Sequence, residues 1–207
     1  MSIKDVYQAV VDFDDDAIGD LVEKEVKAGT PVQKILDEGL IAAMDAVGKL
    51  FSEGELFVPE MLMAATAMKV GLNVLKPHLA QAGSSTIGTV VIGTVKGDLH
   101  DIGKNLVGMM LEGGGFEVYD LGSDVDPARF VEAAKDKKAQ IVGLSALLTT
   151  TMPYMEETVN ALKEAGIDSK VIIGGAPVTA AYAEKIGAAG YSDDAPGAVE
   201  LARSLVK

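Results

Sequence analysis

From residue 86 onward the chain alternates short β-branched runs with helical segments about five times over, and few architectures accept that alternation. The runs are "TIGTVVIGTV" (86–95), "FEVYDLG" (116–122), "AQIVGLSALL" (139–148), "KVIIGGA" (170–176) and a weaker "AAGYSD" (188–193). Between and after them, "DPARFVEAAKDKK", "MPYMEETVNALKEAG" and "APGAVELARSLVK" carry helical spacing. Strand alternating with helix argues for a doubly wound parallel sheet. The runs are continuously apolar, as strands covered on both faces require. A five-stranded sheet of this kind takes the order 2-1-3-4-5, with its crevice at the carboxyl ends of strands 1 and 3.

Residues 1 to about 82 contain no convincing strand. "DDDAIGDLVEKEVKAG" sets Ile18, Leu21, Val22 and Val26 at helical spacing behind an acidic first turn, with Gly29 as its stop. "TPVQKILDEGLIAAMDAVGKLFSEG" predicts a second helix with Thr30 as N-cap and Pro31 in its first position. "FVPEMLMAATAMKVGLNVLKPHLAQAG" is apolar around most of its circumference and predicts the buried helix. With a short first helix these make a four-helix bundle. Aromatics are 5% of a chain that is 48% hydrophobic, so both cores must be built from Ala, Val, Ile, Leu and nine Met. The small, polar "QAGSST" (81–86) marks the boundary between a helical domain, 1–84, and an α/β domain, 85–207.

A formal charge of −13 with no basic patch excludes nucleic acid as the expected partner. The absence of cysteine excludes disulfides, thiolate metal sites and a cysteine nucleophile, and is compatible with a reducing cytoplasm. No stretch approaches the roughly 20 apolar residues of a membrane span, and "MSIKDVYQAV" has no signal-peptide core, so a soluble cytoplasmic protein is expected.

The chemistry should lie in "VKGDLHDIGKNLVGMMLEGGGFEV" (95–118), where the loop after strand 1 carries Asp98 and His100. It is no P-loop: five residues separate Gly97 from Gly103, and Asn105 follows Lys104. The dinucleotide glycine pattern is missing, and the glycines at 113–115 end a helix. Two histidines, His78 and His100, far apart in sequence and without cysteine, make a poor protein-only zinc site. No nucleophile elbow is present. A lone loop histidine also serves as a helix cap or a solvent-facing residue. Three features argue for more: Asp98 two residues earlier, able to orient the ring; small residues around the crevice; and the hydroxyl cluster of "SALLTTT" across from it. One imidazole cannot hold a metal alone, but it can be the axial ligand of a metal already held by a macrocycle.

Asp98-x-His100-x-x-Gly103, then Ser145-x-Leu147, then Gly174-Gly175, resembles the cobalamin-binding signature of methionine synthase and of the corrinoid proteins of anaerobic methyltransferase systems. The helical half, including "FVPEMLMAATAM", resembles the cap domain of the same proteins. The resemblance spans nearly the whole chain and implies a cap followed by a flavodoxin- or Rossmann-like cobalamin domain. It implies a cobalamin or related corrinoid whose benzimidazole is replaced by His100 as lower cobalt ligand, with Asp98 as hydrogen-bond partner of the ring. Thr151 stands where methionine synthase has the serine of a His-Asp-Ser proton relay. Ser145, Leu147 and Thr149 would contact the nucleotide tail, and Gly103, Gly174 and Gly175 would leave room for it. Val58, Met61, Leu62 and Met63 are the cap candidates for the upper corrin face.

The function so implied is methyl carriage rather than a complete enzyme. Cobalt(I) takes a methyl group from a substrate-specific methyltransferase, and methylcobalt(III) yields it to an acceptor methyltransferase using tetrahydrofolate or coenzyme M. A reductive activase is the remaining expected partner. Methoxylated aromatics and methylamines are the favoured donors. A cobalamin-dependent sensor is the alternative reading, but the acidic chain lacks the tryptophan such sensors resemble one another in using. An adenosylcobalamin mutase subunit would have no use for residues 1–82.

Overall fold

The structure, a computed structural model, describes residues 2–81 and 86–206. The chain divides into two compact units, Met1–Thr86 with Glu112–Gly115, and Ile87–Leu111 with Phe116–Lys207. Most of the expected linker, residues 82–85, lies outside the described residues.

The helical unit contains α1 (Ile3–Val11), α2 (Asp15–Lys27), a helical stretch over 32–52 and α5 (Val58–Gln81). Asp14 caps α2 by accepting the Ala17 N–H at 2.9 Å. Thr30 does not cap the next helix as its spacing predicts. Its hydroxyl donates to Glu25 at 2.8 Å, and Pro31 takes the N-cap position. The reason is burial: Glu25 is only 7% exposed, and a buried carboxylate without a donor is costly. The stretch 32–52 begins as α3 (Val32–Lys34), turns π-helical over Ile35–Ile41 and continues as α4 (Ala42–Ser52). Ile18, Ile35, Leu40, Met44, Met61, Met68 and Leu75 form the fully buried centre. Gly71 permits this packing, since a Cβ there would lie 3.0 Å from Leu40 Cδ2 and 3.1 Å from Ile18 Cγ1.

The second unit is the alternation read from the sequence. Its strands are β1 (Thr89–Thr94), β2 (Glu117–Asp120), β3 (Ile141–Ser145), β4 (Lys170–Gly174) and β5 (Gly190–Tyr191). Between and after them run α6 (Ile102–Gly113), α7 (Pro127–Lys137), α8 (Pro153–Glu164), α9 (Ala180–Ile186) and α10 (Ala195–Leu205). All pairings are parallel and the order is β2-β1-β3-β4-β5, as expected. Val91, Val142 and Ile173 of the sheet pack with Phe130 of α7 and Met155 of α8 in one buried cluster. The register pairs Thr94 with Ser145 and Ser145 with Gly174, so three strands end level. The loops that leave that edge carry the candidate site.

Candidate cofactor site

β1 gives way to the loop 96–101, and α6 starts at Ile102. The buried Thr94 ends β1, and its hydroxyl donates to the His100 carbonyl at 2.9 Å, closing the loop on itself. Asp98, at the centre of this loop, is completely buried.

Asp98 receives five hydrogen bonds. Its Oδ1 accepts the His100 backbone N–H at 3.1 Å and lies 2.8 Å from His100 Nδ1. Its Oδ2 accepts the Leu147 N–H at 2.8 Å, the Leu148 N–H at 3.2 Å and the Thr151 hydroxyl at 2.8 Å. Burial opposes ionisation of Asp98. The Leu147 amide, the His100 ring, the Thr151 hydroxyl and the His100 amide outweigh it, and hold the carboxyl well below the usual range. A carboxylate so held can only accept, so Nδ1 carries the ring proton and Nε2 presents a lone pair. The His100 side chain is 53% exposed, and among the described residues Nε2 has no hydrogen-bond partner. A buried anion therefore orients a half-exposed imidazole whose outer nitrogen is free.

The two loops that meet at Asp98 also carry exposed apolar side chains. Leu99 and Ile102, which flank His100 in sequence, are 72% and 78% exposed, and Leu147 and Leu148 are also exposed. So much exposed leucine and isoleucine in one place marks a surface meant to be covered. Gly103 faces open space, with nothing within 4 Å of an added Cβ.

The other expected residues fall as follows. Ser145 ends β3 half-buried, its carbonyl accepting the Val95 N–H at 3.0 Å, and Thr149 is exposed in the loop beyond it. Gly174 ends β4 and Gly175 follows it. An added Cβ would lie 3.1 Å from the Ser192 carbonyl oxygen at Gly174 and 1.9 Å from that of Ala146 at Gly175, where φ is +125°. Glycine is thus demanded at 175 by the close approach of the segment after β4 to the segment after β3.

In the helical unit, Met61 is fully buried in the core, whereas Val58 and Met63 are exposed and Leu62 is half-buried. Phe57, which helical periodicity does not single out, is 65% exposed. Sequence reasoning also missed Thr94 and the amides of Leu147 and Leu148 as parts of the site. A hydroxyl at the end of an otherwise apolar strand is the one signal that points to Thr94; backbone donors leave none. Among the described residues, no group of three or more His, Asp or Glu could hold a metal ion, and no helix is long and apolar enough to cross a membrane.

Two family models, both described as B12 binding domains, match residues 2–76 and 88–200. The chain is 45% identical over 207 residues to dimethylamine corrinoid protein 1 of Methanosarcina acetivorans, covering 99% of this chain and 97% of the relative. Among solved structures it is similar to a cobalamin-binding protein from Desulfitobacterium hafniense DCB-2, with a TM-score of 0.83 and 36% identity over 100% of both chains. It is similar also to a chain of the methanol:cobalamin methyltransferase complex of Methanosarcina barkeri, with a TM-score of 0.88 and 31% identity over 99% of this chain and 79% of that one. With matches to both halves and near-complete coverage, the chain belongs to the B12-binding family of corrinoid proteins.

Proposed function

We propose that this chain is the methyl-carrying subunit of a corrinoid-dependent methyltransferase system, with His100 Nε2 as the lower axial ligand of the cobalt. The observation that carries the reading is the buried Asp98, saturated by five donors, which fixes the imidazole and leaves Nε2 unpartnered. The donor set suits a metal held by a macrocycle, since the loop offers one free imidazole nitrogen and the described residues no cluster able to hold an ion alone. When bound, the corrinoid supplies a cobalt that takes a methyl group from one partner and passes it to another.

The protein's residues control the proton. Asp98 stays anionic, so a proton reaching the pair rests on His100 Nε2, and a protonated Nε2 has no lone pair to give. Ligation and protonation at that atom exclude one another. The Thr151 hydroxyl has one proton and two acceptors at 2.8 Å, Asp98 Oδ2 and the Leu148 carbonyl. It orients the carboxylate rather than charging it. Leu99, Ile102, Leu147 and Leu148 supply apolar cover, Gly103 leaves room beside the first turn of α6, and Ser145 and Thr149 offer hydroxyls to the nucleotide tail. On the helical unit, Val58, Leu62 and Met63, joined by Phe57, are the proposed corrin contacts; Met61 is spent on the core.

The proposed partners are a substrate-specific methyltransferase, an acceptor methyltransferase using tetrahydrofolate or coenzyme M, and a reductive activase, in the cytoplasm. The relative named for dimethylamine supports a methylamine as donor. The test is an electron paramagnetic resonance spectrum of the cobalamin-loaded protein reduced to cobalt(II), recorded with ordinary and 15N-histidine-labelled protein. A nitrogen triplet that becomes a doublet on labelling, and is lost in His100→Ala, supports the assignment. A spectrum indifferent to labelling refutes it.

A further inference from the structure

Three aspartates at and beyond the end of β2, Asp120, Asp124 and Asp126, reach back to the histidine loop and to the first turn of α6. Lys96 Nζ pairs with Asp126 at 2.6 Å. The Gly97 N–H donates to Asp124 Oδ1 at 2.7 Å, and the Asp124 N–H donates to the Asp98 carbonyl at 2.9 Å. Asp120, at the end of β2, holds the ammonium of Lys104, whose side chain is 1% exposed and also donates to Asn105 Oδ1 at 2.6 Å. Backbone bonds complete the clasp: the Thr94 N–H donates to the Gly122 carbonyl at 2.9 Å, and the Val125 N–H to the Thr94 carbonyl at 3.0 Å.

These contacts grip residues 94–98 on one side of His100 and Lys104 on the other, leaving 99–103 as the span between two anchored points. Asp124 is central to the grip and takes an unfavourable backbone conformation for it. At φ +55° it occupies the left-handed region, which few residues other than glycine enter without a compensating bond. Its compensation is the pair of hydrogen bonds to Gly97 and Asp98.

We propose that residues 120–126 are the positioning element of the cofactor site, with Asp124 as the principal positioning residue. By holding Gly97 and Asp98 in place before the corrinoid arrives, the segment removes the ordering of the loop from the cost of binding and aims His100 Nε2 at the metal. The proposal rests on the corrinoid reading above.

The test compares the full-length protein with Asp124→Ala and Asp124→Asn, measuring cobalamin affinity by absorbance titration and the cobalt(II) histidine splitting. Asparagine tolerates the left-handed conformation and keeps an acceptor for the Gly97 amide; alanine does neither. Asp124→Ala should bind about tenfold more weakly, as loss of a hydrogen bond to a charged group predicts. It should also show a spectrum in which part of the cobalt lacks the histidine nitrogen. Asp124→Asn should restore both. If Asp124→Ala keeps parental affinity and splitting, or if Asp124→Asn is as impaired as Asp124→Ala, the positioning role is overturned. If the parent protein itself shows no histidine splitting, the fault lies with the ligand assignment and not with Asp124.

Discussion

Replacing Asp98 by asparagine tests the core of the site while hardly changing its shape. The carboxylate takes two donors on Oδ1 and three on Oδ2. A carboxamide keeps one acceptor oxygen, which satisfies the larger group when turned towards Leu147, Leu148 and Thr151. Its NH2 then faces His100 and can bond Nδ1 only if the ring gives up the Nδ1 proton. The ring must shift to the tautomer with hydrogen on Nε2, and the lone pair is no longer offered to a metal. The exchange also replaces a hydrogen bond to a charged group, worth about 1.5–3 kcal/mol, by a neutral one. Corrinoid affinity should fall roughly 10- to 100-fold, the usual effect of losing the partner of a metal-bound histidine. Isothermal titration with cobalamin measures that loss, and the nitrogen splitting of the cobalt(II) form should weaken with it. Parental affinity with undiminished splitting in Asp98→Asn would refute the claim that Asp98 sets the tautomer.

Because the folded protein holds Asp98 below its usual pKa, the carboxylate contributes stability that is fully present above the unfolded value of about 3.9 and is lost as pH falls from there towards the depressed folded value. The difference in urea midpoint between the parent and Asp98→Asn should therefore be largest at neutral pH and shrink below about pH 4; a difference that stays constant with pH would contradict the linkage. Gly175→Ala places a methyl group 1.9 Å from the Ala146 carbonyl oxygen at a φ of +125°, and should destabilise the α/β unit by about 2 kcal/mol or more. Thermal melting within 1 °C of the parent would show that the strand ends relax freely. Thr151→Val keeps the shape and removes one donor to Asp98, so stability should drop by about 1 kcal/mol and Thr151→Ser should recover it, read by urea denaturation.

How legible each feature is depends on how local its cause is. The parallel sheet could be read because continuous apolar runs and their spacing are properties of single segments, and the strand order followed from the class of sheet they build. The pairing of Asp98 with His100 could be read for the same reason: two residues apart in a tight loop, carboxylate and imidazole meet without help from the rest of the chain. The cap at Thr30 was misjudged because a buried Glu25, five residues upstream, competes for its hydroxyl. The π-helical turn at Ile35–Ile41 leaves no period distinct from that of an α-helix over so short a run.

The residue types of this chain determined by themselves which segments become strands and helices, and that a lone histidine beside a carboxylate stands in the loop that leaves β1. Only the tertiary structure decided how firmly that histidine is held. The Leu147 and Leu148 amides and the Thr151 hydroxyl reach Asp98 across about fifty residues of chain, and Asp124 grips the loop at Gly97 while Asp120 holds Lys104 of α6. It likewise decided that Met61 belongs to the core and that Gly175 answers to the Ala146 carbonyl. The physical reason is one of range. Propensity and periodicity act over a few neighbouring residues and are written in their side chains. Burial, and the backbone donors that neutralise a buried charge, exist only once distant segments have packed together.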